Sequence, residues 1–273
     1  MLNDSNGDSL EPLHVSTAGE GPTVFLVHGW AHSGEVWQGL VALLSDSYRV
    51  VAPDLPGFGQ SPALPIEEVS LDRYASLLLR EVRKESLSGN VSVVIGDSMG
   101  GLLVLRRLSD ILALTSRVVL LGVPTEGLPR ILRLRLAANL ARLGLNSLRR
   151  LPKPLAIPLL LPFLRLTIPS APNLRRTVAT EVLKANPCSA AALLREIAIQ
   201  GEVTFDQQPA RHGHRSGRIT VMRGDRDVFV SQDCMVRLAA RLGGSSITLE
   251  GVGHTTAVEM PSAIAKLVRR PAR

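Results

Sequence analysis

The chain has 273 residues, 45% of them hydrophobic and 20% charged, a composition that fills a sizeable core and excludes a disordered or fibrous protein. Two cysteines, Cys188 and Cys234, exclude a disulfide framework. The net charge of +7 is unevenly placed, because residues 125–215 carry 14 Lys and Arg against 5 Asp and Glu while the remainder is slightly acidic.

The start, MLNDSNGDSLEPL, is polar and lacks the apolar core of a signal peptide, so a soluble cytoplasmic protein is expected. LHVSTAG suggests an antiparallel edge strand. Short apolar runs then follow: TVFLVHG to Gly29, RVVAPDLPG to Gly57, VSVVIGDS to Ser98 and RVVLLGVP to Pro124. RITVMRGD to Asp225 and SSITLEGVGH to His254 complete the set. Continuous apolar runs fit strands buried on both faces. Between them GEVWQGLVALLSD, LDRYASLLLREVRK and GLLVLRRLSDIL carry helical spacing, and PSAIAKLVRR reads as a closing helix. This alternation predicts an α/β fold, a mostly parallel twisted sheet flanked by helices.

Residues 125–215 break the alternation and read as a helical cap inserted in a core formed by 1–124 and 216–273. LPRILRLRLAANLARLGLNSLRRL puts Leu132, Leu136, Leu140 and Leu143 on one helical face, with Arg135, Arg142 and Arg149 on another. NLRRTVATEVLKANPCSAAALLREIAI is again helical, after the Pro-rich stretch LAIPLLLPFL. That stretch is too short, and too interrupted by Pro158 and Pro162, to span a bilayer. The bland reading of the segment is a pair of amphipathic lid helices with solvated arginines. The functional reading is attraction of something acidic: a carrier protein, a coenzyme A thioester or an anionic membrane surface.

The chemistry centres on Gly96-Asp97-Ser98-Met99-Gly100, a G-x-S-x-G motif between an apolar run and a helix-forming stretch. A serine at such an elbow projects above the sheet, and glycine is needed at 96 and 100 because side chains there would collide. Serine requires a base, and the base an orienting acid. His254 follows the last strand-like run. Asp227 and Asp225 both follow the preceding one; Asp227 is preferred because Asp225 lies nearer the strand end and braces the turn. Two oxyanion donors are expected, the amides of Met99 and Trp30, with Gly29 letting the backbone turn close to the serine and the Trp30 ring walling an acyl pocket.

HGW, DLPGFGQS, GDSMGG, GDRD and GVGH, in this order and spacing, resemble the α/β-hydrolase superfamily from about Gly21 to Leu267. The similarity runs to lidded serine esterases, cofactor-independent haloperoxidase-like enzymes and carbon–carbon hydrolases. It implies a Ser98, Asp227, His254 triad, oxyanion donors at Trp30 and Met99, a structural role for Asp54 to Ser61, and no cofactor. Relatives often follow the acid with proline, where this chain has Val228. The implied reaction is hydrolysis of a carboxylic ester, or second a thioester, of a hydrophobic small molecule. Carbon–carbon hydrolysis, perhydrolysis, a lyase reaction and a non-catalytic receptor that uses the cap as a switch are the alternatives.

Other signals are weaker. His212 and His214 in RHGHR have no acidic or thiol neighbours and read as a solvated loop rather than a metal site. His14 and His32 carry no pattern. No phosphate loop, dinucleotide fingerprint or nucleic-acid reader motif is present, so neither a nucleotide cofactor nor a nucleic-acid partner is expected.

Overall fold

The computed structural model describes residues 12–128, 135–199 and 217–270. Its seven strands are β1 (Val15–Ala18), β2 (Thr23–Val27), β3 (Arg49–Pro53), β4 (Val91–Asp97), β5 (Thr115–Leu121), β6 (Ile219–Gly224) and β7 (Ser245–Leu249). They form one sheet in the order β1-β3-β2-β4-β5-β6-β7. Only β1 runs antiparallel, on β3, with Val15 opposite Pro53; the remaining pairs are parallel. Every residue of β2 and β6 is buried, as an apolar run covered by helices on both faces requires. The edge strands differ. β1 and β7 are largely exposed, and the Ser and Thr residues of β7 suit an edge with one partner.

The helices before the insertion are α1 (Gln38–Leu44), α2 (Leu71–Ser88), α3 (Met99–Arg106) and α4 (Leu108–Leu114). GLLVLRRLSDIL, expected as one helix, breaks at Arg107, whose φ of −127° and ψ of 29° leave the helical region. Four helices then stand between β5 and β6: α5 (Arg135–Arg150), α6 (Lys153–Thr167), α7 (Arg175–Lys184) and α8 (Pro187–Ile199). After β6 come α9 (Gln232–Arg241), α10 (Thr256–Glu259) and α11 (Pro261–Val268).

Two features of the insertion depart from the sequence reading. The proline-rich stretch is itself helix α6. Pro158 and Pro162 lie one turn apart on an exposed side, where the two carbonyls they leave without an amide can meet water. The segment read as one helical half is two helices, because Asn186 caps a new start: its Oδ1 accepts the amides of Cys188 and Ser189 at 3.0 and 3.1 Å. In α5 the apolar spacing selects the solvent side. Leu140 and Leu143 are exposed, whereas Ala138 and Leu145 are buried. Leu132, the Leu136 and Arg135 side chains, His212 and His214 lie outside the described residues. Cys188 is exposed, Cys234 is buried, and both are free thiols.

Among the described residues no helix is long and apolar enough to cross a membrane.

Candidate active site

Ser98 stands between β4 and α3 with φ 49° and ψ −111°, one of two non-glycine residues with positive φ among the described residues. Such a backbone costs about 1–3 kcal/mol and persists only where its surroundings hold it. They do so through the sheet: the Ser98 amide bonds Leu121 O of β5 at 2.7 Å. A Cβ at Gly96 would come within 2.7 Å of Gly101 Cα, and one at Gly100 within 2.7 Å of His28 O. Both glycines are thus required by close backbone approach.

His254 follows β7 in the turn that leads to α10. Its Nε2 is 2.9 Å from Ser98 Oγ and its Nδ1 is 2.9 Å from Asp227 Oδ2. Asp227 follows β6, and its side chain is fully buried. The other oxygen, Oδ1, accepts the amides of Phe229 and Val230 at 2.8 and 3.1 Å. Burial opposes ionisation of Asp227. The nearby His254, its hydrogen bond and those two amides outweigh burial and hold the carboxyl below its usual range. Burial likewise disfavours His254 as a cation, but the attraction of Asp227 overcomes it and raises the imidazole above its ordinary value. Asp225 is exposed, and its amide bonds Leu249 O at 2.9 Å, bracing the turn between β6 and β7. The structure therefore brings Asp227, rather than Asp225, to the histidine. Val228, where relatives often have proline, is an exposed residue of this turn.

The HGW turn lies directly against the serine. A Cβ on Gly29 would sit 3.3 Å from Ser98 Cβ and 3.0 Å from Asp97 Oδ2, so a side chain there would crowd the serine. The next residues are Trp30 and then Ala31, whose φ is 57°. Trp30 Nε1 donates to Ala190 O of α8 at 2.7 Å, which fixes the ring across the cavity. Met99 opens α3, where a first-turn amide has no intrahelical acceptor. His28 pins the turn from below. Its Nδ1 donates to Gly29 O at 2.8 Å and its Nε2 accepts the Leu55 amide at 2.9 Å, a tautomer suited to the neutral ring that burial favours. The glycine-rich loop is tied down by Asp54, which accepts the amides of Gly34 and Gln60.

A cavity of about 340 Å³ opens at Ser98 and His254. Leu145, Leu148, Leu160 and Phe163 from the insertion form much of its wall, so the four helices face the strand ends across it. Helix α6 also reaches the histidine turn: Thr167 O accepts the His254 amide at 2.9 Å, and Glu259 bridges the Gly253 amide and the Ser170 amide, both at 2.8 Å.

Three further residues line the cavity. Phe229 packs edge-on against the His254 ring at a centroid distance of 4.8 Å. Asp97, inside the G-x-S-x-G motif, lines the cavity with Oδ1 unpartnered, and burial raises its carboxyl to about 7. His32 is half-buried on the cavity wall with its enclosed Nδ1 unpartnered, and desolvation lowers it to about 3. Only Asp97 carried a signal, as an acid at the end of an otherwise apolar strand.

Comparison with known proteins bears on the fold and the family. A pimeloyl-acyl-carrier-protein methyl ester esterase from Methylococcus capsulatus is 44% identical over 70 residues, 26% of this chain and 27% of that protein. The chain covers about a third or less of the length of the curated relatives it matches. An esterase from Thermogutta terrifontis superposes with a TM-score of 0.72 at 23% identity, covering 94% of this chain and 91% of the other. A bromoperoxidase from Bacillus anthracis does so at 0.71 and 20% identity, covering 94% and 95%. The family profile described as alpha/beta hydrolase matches residues 24–267, and with the seven-stranded sheet described above the chain belongs to that family.

Proposed function

We propose that this protein is a serine hydrolase that cleaves the ester of a hydrophobic acyl group. Ser98 passes its proton to His254 and attacks the carbonyl carbon. Asp227 orients the ring and stabilises the imidazolium, and the amides of Met99 and Trp30 receive the developing oxyanion. The protonated histidine then gives its proton to the leaving alcohol. Water activated by the same ring hydrolyses the acyl-enzyme and releases the acid. One observation carries this reading: a single imidazole lies 2.9 Å from a serine on a strained elbow and 2.9 Å from a buried carboxylate.

The leucine-lined cavity favours an aliphatic acyl group over a charged one. In this reading residues 125–215 are the cap that walls the cavity, carried by a core of 1–124 and 216–273. A carboxylic ester is the first substrate class. A thioester, or an ester on an acidic carrier protein, is the second, supported by the carrier-bound substrate named for the relatives and by exposed Arg142 and Arg195 beside one groove between α5 and α8.

The test is labelling with a fluorophosphonate probe, followed by turnover of p-nitrophenyl esters of graded chain length. Labelling and turnover should vanish in Ser98→Ala and His254→Ala and rise with chain length. Equal activity in wild type and Ser98→Ala sinks the proposal. A single slow event without repeated cycles instead marks a receptor. For the carrier reading, Arg142→Glu should depress kcat/KM on a carrier-bound ester and spare the free one; equal effects remove the carrier.

A further inference from the structure

Helix α6 turns an apolar stripe to solvent. Leu151, just before the helix, and Leu155, Leu159, Phe163 and Leu166 recur at spacings of four, four, four and three, which places them on one side. Leu155, Leu159 and Leu166 are 60%, 63% and 61% exposed, and the other two are exposed as well. Pro158 and Pro162 lie among them, also exposed. The stripe is roughly 22 Å long at 1.5 Å per residue. Single exposed leucines are ordinary, whereas a continuous row marks an interaction surface.

The charge around it has one sign. Between Glu126 and Glu181 the sequence holds ten Lys and Arg residues and no Asp or Glu. Arg150 and Lys153 near its start and Arg165 near its end are exposed. The stripe also runs into the site. Phe163 belongs both to it and to the cavity wall; its ring lies 6.2 Å from Phe229, which packs on His254.

We propose that α6 seats on the surface of an anionic lipid bilayer, its leucines entering the boundary of the acyl chains and Arg150, Lys153 and Arg165 meeting the lipid phosphates. An apolar face with a cationic rim is the pattern of a helix lying in the membrane interface. A second copy of the chain fits less well, because pairing this face with itself opposes two cationic rims. A carrier protein would have to supply a groove for a convex row of leucines, whereas a bilayer receives it by depth alone. Seated this way, the cavity receives apolar substrate along Phe163 without its crossing water.

The experiment is sedimentation with vesicles, using the full chain. Binding is expected to equimolar phosphatidylglycerol and phosphatidylcholine at low salt, and to fall sharply on pure phosphatidylcholine or in high salt. The double variant Leu155→Asp, Leu159→Asp should bind at least about tenfold more weakly, while keeping the wild-type melting transition as evidence that it folds. Arg150→Glu and Lys153→Glu should each cost about fivefold or more, on anionic vesicles only. Ser98→Ala should bind as wild type, so a failure of the proposed reaction leaves this result standing. Absence of binding to anionic vesicles overturns the proposal, as does binding that the leucine variant leaves unchanged. So does a dimer that the leucine variant dissociates, or capture of an acidic carrier protein in place of vesicles.

Discussion

The sheet and the helical insertion use the same residues in opposite ways. In β4 the side chains of Val91, Val93, Val94 and Ile95 are wholly buried, and the chain they stiffen ends on Ser98. In α5 and α6, Leu140, Leu143, Leu155, Leu159 and Leu166 face water although the sequence is just as apolar. A strand buried on both faces has no orientation to choose. A helix laid over a cavity does, and its outward apolar face shows that burial in this chain alone does not account for its sequence. The contrast separates a rigid part that holds the chemistry from a covering part that meets the surroundings.

Breaking the rigid part should have the largest effects. Ser98→Ala and His254→Ala should each lower kcat by about 10⁴-fold or more, measured with a soluble ester and with both variants still folded. Asp227→Asn should cost about 10³- to 10⁴-fold by leaving the imidazole without its anionic partner, whereas Asp225→Asn should change kcat less than about threefold. A pH profile sharpens this pair. His254 works as a base only when neutral, so kcat/KM should fall as pH drops through its raised value, above the ordinary 6.5. In Asp227→Asn the acid limb should move to lower pH, and an unmoved limb would mean that Asp227 does not raise His254.

Core and surface leucine-type residues come next. Ile95→Ala should cost about 2–4 kcal/mol of unfolding free energy, because a fully buried side chain leaves a cavity. Leu159→Ala, 63% exposed, should change stability by less than about 0.5 kcal/mol. Similar losses at both sites would dissolve the contrast, whatever the catalytic variants do.

Asp97 gives the most specific sign, through a difference that depends on pH. Burial raises its carboxyl from 3.8 to about 7, so the folded state holds a proton that the unfolded chain releases. That contribution to stability is present below pH 4 and is lost as pH rises towards 7. Asparagine has no charge to bury. The melting temperature of Asp97→Asn should match wild type near pH 4 and exceed it increasingly up to about pH 8, by at most a few kcal/mol in free energy. A constant difference across that range would show that Asp97 does not titrate with folding.

Much of this was readable along the chain. Apolar runs marked β2 to β7 and LHVSTAG the edge strand β1; in the inner strands burial on both faces demands continuous hydrophobicity, and the glycines around Ser98 betrayed a turn where backbone packs on backbone. Asp227 was preferred to Asp225 from distance to the strand end, a local quantity. The proline-rich helix escaped, since local rules treat proline as a breaker while an exposed face excuses two lost amide bonds. The face of α5 that turns inward escaped as well, because periodicity reveals that a helix has two sides without saying which neighbour each will meet.

What the sequence determined by itself is the sheet, the elbow and the residue types able to act at its end, each set by forces between near neighbours in the chain. Only tertiary structure decided that His254 stands between Ser98 and Asp227, and that Asp97 and His32 sit desolvated on one cavity wall. It also decided that the leucines of α6 look outward. These depend on groups as many as 156 positions apart, whose meeting is fixed by how the strands order themselves and not by any local preference.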